Sequence, residues 1–270
     1  MINQKIERIG IWGVPRSGTS WLGQIFNSSA HTIYRFQPLF SYAFKHGLSE
    51  FSSKSEIDNF FHKISISDDD FVVNGMLSSS DKSILSFKKK KITHIVMKHV
   101  RYLNIIKNLS HKCDNIKLIG IVRNPCAVLY SWFNAEKEFR KDWKPIVEWK
   151  NGDKKNLKKE EEFFGYDKWK QAALLFEELN KNKNFFLVNY NNLLSQTNYE
   201  IQSLFKFTNI DFTQQTINFI EKSKNTHLDY DYSVFKKKTS DSKWKDGLPK
   251  EIINYIRKDL RNTVLEKYLK

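Results

Sequence analysis

The segment Gly13-Val14-Pro15-Arg16-Ser17-Gly18-Thr19-Ser20 constrains this chain more than any other. It keeps the spacing of a phosphate-binding loop: a glycine, four residues, a second glycine and a closing hydroxyl residue, here Gly13, Gly18 and Ser20. Thr19 stands where that pattern carries its lysine, and Arg16 sits inside the loop instead. Ile6 to Trp12 is apolar enough for a buried strand, and Gly18 to Asn27 carries helical apolar spacing. That order has a physical consequence. Backbone N–H groups at the start of a helix converge on one anion, within the field of the helix dipole. The N–H groups from Arg16 to Ser20, the hydroxyls of Ser17, Thr19 and Ser20, and the guanidinium of Arg16 would together form such a seat. Without the lysine, the loop suits a nucleotide 5′-phosphate better than a triphosphate that is hydrolysed.

The 270 residues suit one α/β domain or two small ones, and 21 Phe, 11 Tyr and 7 Trp can fill a sizeable core. The net charge of +15 fits an anionic ligand, an acidic acceptor, nucleic acid or an anionic surface, and does not choose among them. Cys113 and Cys126 form no metal or redox spacing, so a reduced protein of the cytoplasm is expected. Met1 to Glu7 lacks the apolar core of a signal peptide, and no stretch approaches the roughly 20 apolar residues of a membrane span.

Strands are expected at Arg8–Gly13, His31–Phe36, Ile92–Met97, Lys117–Val122 and Phe185–Val188. Helices are expected at Pro38–Gly47, Lys54–Ile64 and Tyr102–His111, with another opened by the N-cap Asn124 and by Pro125. Trp169, Ala172, Ala173, Phe176 and Leu179 mark a further helix by their spacing. Strands alternating with helices imply one α/β domain with a central parallel sheet flanked by helices. Ser78–Lys91, including the lysines at 88 to 91, reads as a solvated loop. Residues 140–162 read as a lid or acceptor loop, and 235–247 as a loop closing over a cofactor.

A second motif, Ile119-Gly-Ile-Val-Arg-Asn-Pro125, ends a strongly apolar segment, and Ser131 follows eight residues after Arg123. An arginine at a strand's carboxyl end reaches the edge where α/β sheets bind ligands. Taken together, the two motifs resemble those of the sulfotransferases that use 3′-phosphoadenosine-5′-phosphosulfate (PAPS). Pro15-Arg16-Ser17-Gly18-Thr19-Ser20-Trp21-Leu22 is similar to that family's 5′-phosphosulfate loop, with the arginine of its bacterial and carbohydrate branches. Arg123 and Ser131 are similar to its 3′-phosphate motif. The resemblance runs in order from residue 8 to about 260 and implies a P-loop nucleotide-kinase-like fold.

Further residues follow from that resemblance. Met97-Lys98-His99 resembles the segment holding the family lysine and, in the phenol and steroid enzymes, a histidine base; here His99 follows Lys98 directly. Histidine titrates where a hydroxyl proton has to be taken, so His99 is the expected base, with Lys98 and Arg16 on the departing phosphate. Gln37 stands where carbohydrate enzymes carry a glutamate, and an amide only orients an acceptor. Glu50, Glu56 and Asp68 to Asp70 are the acidic substitutes. Trp21 and Tyr190 are implied at the adenine, and Lys237, within Lys236–Lys238, at the 3′-phosphate. The expected reaction passes a sulfuryl group from PAPS to a hydroxyl or amine, leaves adenosine 3′,5′-bisphosphate (PAP), and needs no metal. The expected acceptor is a glycan, a lipid-linked sugar or a small hydroxyl compound, with no specific nucleic acid and at most weak association with an anionic surface. A P-loop kinase is the rival reading, and Thr19 argues against it. A basic nucleic-acid-binding module leaves both motif spacings unexplained.

Overall fold

The computed structural model describes residues 6–78, 82, 84–228, 233–235 and 241–270. Five strands form the sheet: β1 (Glu7–Trp12), β2 (Thr32–Phe36), β3 (His94–His99), β4 (Ile116–Val122) and β5 (Phe185–Asn189). All pair in parallel, in the order β2-β3-β1-β4-β5. Each strand falls within two residues of its expected place. The helices are α1 (Thr19–Asn27), α2 (Lys54–Ser65), α3 (Asp70–Asn74), α4 (Ile106–Lys112), α5 (Pro125–Phe133), α6 (Pro145–Glu148) and α7 (Asp153–Asn156). They continue as α8 (Tyr166–Leu179), α9 (Tyr190–Ser195), α10 (Thr197–Phe207), α11 (Gln214–Asn225), α12 (Trp244–Gly247) and α13 (Lys250–Leu260).

Helices cover both faces, so β3 is buried along its whole length and β4 at every residue but Lys117, and both are mostly apolar. Alternation along each strand then divides the core in two. Ile9, Ile11, Val96, Ile119, Ile121 and Val188 pack with Leu22, Ile25 and Phe26 of α1 and with α10 and α11. Trp12, Ile95, Met97, Leu118 and Val122 pack the other way, against α2, α4, α5, α8 and α13. This parity decides the active site below.

Two expectations need correction. Pro38–Gly47 is not a helix: a single 3-10 turn at Pro38–Phe40 gives way to further turns and bends. Gln37 before it lies at φ 42, in the left-handed region. The lysines at 88 to 91 are exposed as expected, but the ammonium of one is not free in solvent. The Lys89 ammonium donates to the carbonyls of Asn27, Ser29 and Thr32, closing the turn between α1 and β2. Burial pushes its pKa down to about 8.

Candidate active site at the carboxyl edge of the sheet

Each of the five strands delivers a residue from its carboxyl end into one cleft of about 450 Å³. The phosphate loop follows β1, Gln37 follows β2, Lys98 sits near the end of β3, Arg123 follows β4 and Tyr190 follows β5. This is where ligands bind in open parallel sheets.

The loop begins with Ser17, whose hydroxyl and N–H both bond the carbonyl of Val14, at 2.7 and 3.2 Å. Ser17 is fully buried, so its expected role as a phosphate donor is corrected: its polar groups hold the loop's shape. Gly18 then turns at φ 96, and no side chain caps the amino end of α1. That end, with Thr19 and Ser20, opens into the cleft. A Cβ on Gly18 would lie 2.5 Å from the ring of Tyr190. Gly18→Ala is therefore expected to destabilise the protein by about 1–3 kcal/mol through strain and collision, read as a lower urea midpoint.

The two motifs meet directly. Arg123 Nη1 donates to the carbonyl of Arg16 at 2.6 Å, and Arg16 Nε donates to the Ser131 hydroxyl at 3.1 Å. Arg123 sits over the ring of Tyr190, 4.9 Å from its centroid, and its Nε and Nη2 grip both carboxylate oxygens of Asp241. Burial opposes the charge on Arg123, but the bonds to Asp241 outweigh it and leave its pKa raised. Asn124 caps α5 by accepting from the N–H of Cys126 at 2.9 Å, which sets the helix that carries Ser131. Trp21 lines the same cleft, its indole N–H held by Ser223 at 2.9 Å. Lys237 lies outside the described residues, with the rest of 236–240 in the expected closing loop.

Lys98 and His99 part company. Lys98 shares the α1 face of the sheet; its ammonium lies 4.4 Å from the centroid of the Phe36 ring and lines the cleft. Burial, then the charges of Arg101 and Arg16, push its pKa down to about 7. His99 points through the opposite face. It is fully buried, stacks on Trp12 with centroids 5.6 Å apart, and neither ring nitrogen has a hydrogen-bond partner. Burial and the nearby cations Lys98 and Arg101 push its pKa down to about 3. The expectation of His99 as base is thus corrected by strand parity: a one-residue step moves the side chain to the other side of the sheet.

Four of the expected acidic substitutes are engaged elsewhere. Glu50 accepts from Asn104, Glu56 completes a capping box with Ser53, and Asp69 caps α3. Asp70 holds Asn74 and Lys82. Gln37 does line the cleft and accepts from Arg101 at 3.4 Å. Arg101 in turn pairs with Glu162 at 2.7 Å.

Several lining residues carry no signature in the sequence. Phe36, Phe40, Phe71 and Met76 give the mouth aromatic and apolar walls. Residues 140–162 form α6 and α7 and bring Lys155 to the same wall. Glu138, in the turn after α5, lies 3.8 Å from Arg16.

The fold is shared with enzymes of known structure. Mouse sulfotransferase SULT7A1, complexed with PAP, aligns at a TM-score of 0.58 and 15 % identity, over 98 % of this chain and 89 % of that one. Retinol dehydratase, in complex with androsterone and inactive cofactor PAP, aligns at 0.56 and 14 % identity, over 97 % and 84 %. No curated protein sequence matches significantly. The sulfotransferase domain family matches residues 7–268, nearly the whole chain. With its uncapped loop, its Arg123–Arg16 link and its five-stranded parallel sheet, this chain belongs to the sulfotransferase family.

Proposed function

We propose that this protein transfers a sulfuryl group from PAPS to a hydroxyl or amine acceptor. One observation carries the reading: two anion seats, the loop after β1 and Arg123 after β4, are joined by the bond from Arg123 to the carbonyl of Arg16. A donor with phosphates at both its 5′ and 3′ positions spans such a pair. The open end of α1, with Thr19, Ser20 and Arg16, would take the 5′-phosphosulfate, and Arg123 and Ser131 the 3′-phosphate. Trp21 and Tyr190 would flank the adenine. As sulfur passes to the acceptor, negative charge gathers on the departing phosphate. The Lys98 ammonium and Arg16 would stabilise it there without first reorganising, because the fold has already placed them. Lys237 is offered as a further 3′-phosphate partner on the strength of the motif alone.

The aromatic walls at the mouth suit the apolar face of a sugar ring or a small hydroxylated compound, which are the expected acceptor classes. Lys155 and Arg101 beside them suit an acceptor that also carries negative charge. Both cysteines are free and buried, and among the described residues no helix is long and apolar enough to cross a membrane. The cytoplasm is the compartment proposed.

The first test is ligand-induced stabilisation. PAP at about a hundredfold excess over its Kd should add about 2.7 kcal/mol, roughly 5 °C in a thermal melt. ATP with magnesium should add little, because Thr19 replaces the lysine that would hold a γ-phosphate. The second test is transfer of ³⁵S from labelled PAPS into a cell extract, followed by identification of the product. Stabilisation by ATP–magnesium with none by PAP would instead establish the kinase reading.

A further inference from the structure

We propose that Glu138 is the catalytic base, the group that takes the proton from the acceptor hydroxyl. This rests on the sulfotransferase reading above.

A base must face the cleft, and among the described lining residues Glu138 is the one carboxylate; no histidine is among them. His99 lies behind the sheet, Gln37 is an amide, and Glu162 is tied to Arg101 outside the lining. Glu138 Oε2 is sealed from solvent yet accepts no hydrogen bond, and its ion-pair partner, Arg16 Nη1, stands off at 3.8 Å. A buried carboxylate oxygen without a donor is a costly arrangement unless a ligand completes it. Turned into the cleft that Glu138 lines, that oxygen would take its missing donor from an acceptor O–H. The backbone that carries it is held firmly. The Glu138 N–H bonds the carbonyl of Ala135 at 2.8 Å, and the indole of Trp132 donates to the Glu138 carbonyl at 3.4 Å. Phe139 beside it wedges against Trp132, Phe133 and Trp143. Base and loop arginine are therefore positioned together, on the side of the cleft that would hold the sulfuryl group.

The acceptor O–H bond breaks and its proton passes to Glu138 Oε2. The freed oxygen lone pair forms a bond to sulfur. The bond between sulfur and the 5′-phosphate oxygen breaks, and its electron pair leaves on PAP. Glu138 then returns its proton to water.

The test separates chemistry from binding. Glu138→Gln should bind PAP, by calorimetry, within about threefold of wild type, while transfer turnover on the ³⁵S-labelled acceptor falls about 10²–10⁴-fold. Glu138→Asp should retain an intermediate rate. In Glu138→Ala, added formate should restore part of the rate, which a counter-ion of Arg16 would not do. Glu138→Gln that transfers within about threefold of wild type overturns the assignment. Joint loss of PAP binding and turnover, with no rescue by formate, overturns it in favour of a role in positioning Arg16. Wild-type protein that neither binds PAP nor transfers label overturns the sulfotransferase reading itself, and this assignment with it.

Discussion

Arg123→Ala is expected to weaken PAP binding by about 2–5 kcal/mol, roughly thirtyfold to several thousandfold, and to destabilise the free protein as well. Both effects come from burial. Arg123 is 6 % exposed and makes four roles converge: it grips Asp241, bonds the loop carbonyl of Arg16, lies on Tyr190 and faces the cleft. Truncation removes the charge that would hold the 3′-phosphate and leaves the Asp241 carboxylate, itself 12 % exposed, without its cation. The two losses separate in Arg123→Ala/Asp241→Ala, which should regain thermal stability but not PAP affinity. Asp241→Asn alone should bind PAP more tightly than wild type, because a carboxylate no longer competes with the phosphate for the same guanidinium. Calorimetric titration with PAP and thermal melts of the three variants decide the matter. PAP affinity of Arg123→Ala within about threefold of wild type would remove Arg123 from the phosphate site.

Lys98→Met is expected to move stability and activity in opposite directions. Lys98 is 2 % exposed, and burial holds its pKa at about 7 against an ordinary value near 10.5. The sign follows from which state holds the proton. Below about pH 7 the ammonium is charged in both folded and unfolded chains, and folding carries the full penalty of burying it. Between pH 7 and 10.5 the unfolded chain holds the proton and the folded one does not, so stability from this group rises with pH. Methionine removes the penalty. The ligand-free variant should be more stable near pH 6, by on the order of a few kcal/mol, and the difference should shrink towards pH 10. Turnover should fall about 10²–10³-fold, as when a preorganised donor is lost from a transition state. Wild-type protein should also take up a proton on binding PAP at pH 8.5, because phosphate restores the ammonium. Calorimetry in buffers of different ionisation heat would record that uptake, and it should vanish in Lys98→Met. Equal proton uptake by both proteins would mean that Lys98 does not face the phosphates.

Strand spacing, the Gly13–Ser20 loop and the Arg123–Ser131 pair were legible because each is written in contiguous residues with a local physical rule. Apolar runs bounded by turn residues mark buried parallel strands, and a glycine-rich turn before a helix marks an anion seat. What failed was governed by contacts across the fold. Ser17 reads as a phosphate ligand, and only the bend of the loop shows that its hydroxyl is spent on Val14. Lys89 reads as solvated until the turn between α1 and β2 surrounds its ammonium with carbonyls. Glu138 has no motif at all. It reaches the cleft because the rings of Trp132, Phe139 and Trp143 set the turn after α5.

The sequence by itself determined the sheet, the loop and the arginine that answers it, since these depend on hydrophobic period and on backbone conformation near one glycine. Only the tertiary structure decided which groups face the chemistry. Along β3 the choice between Lys98 and His99 is a choice of sheet face, and it is settled by α1 packing on one side and Trp12 stacking on the other. The link from Arg123 to Arg16 and the grip on Asp241 each join residues more than a hundred positions apart. No local rule encodes them, because they exist only once the strands stand side by side.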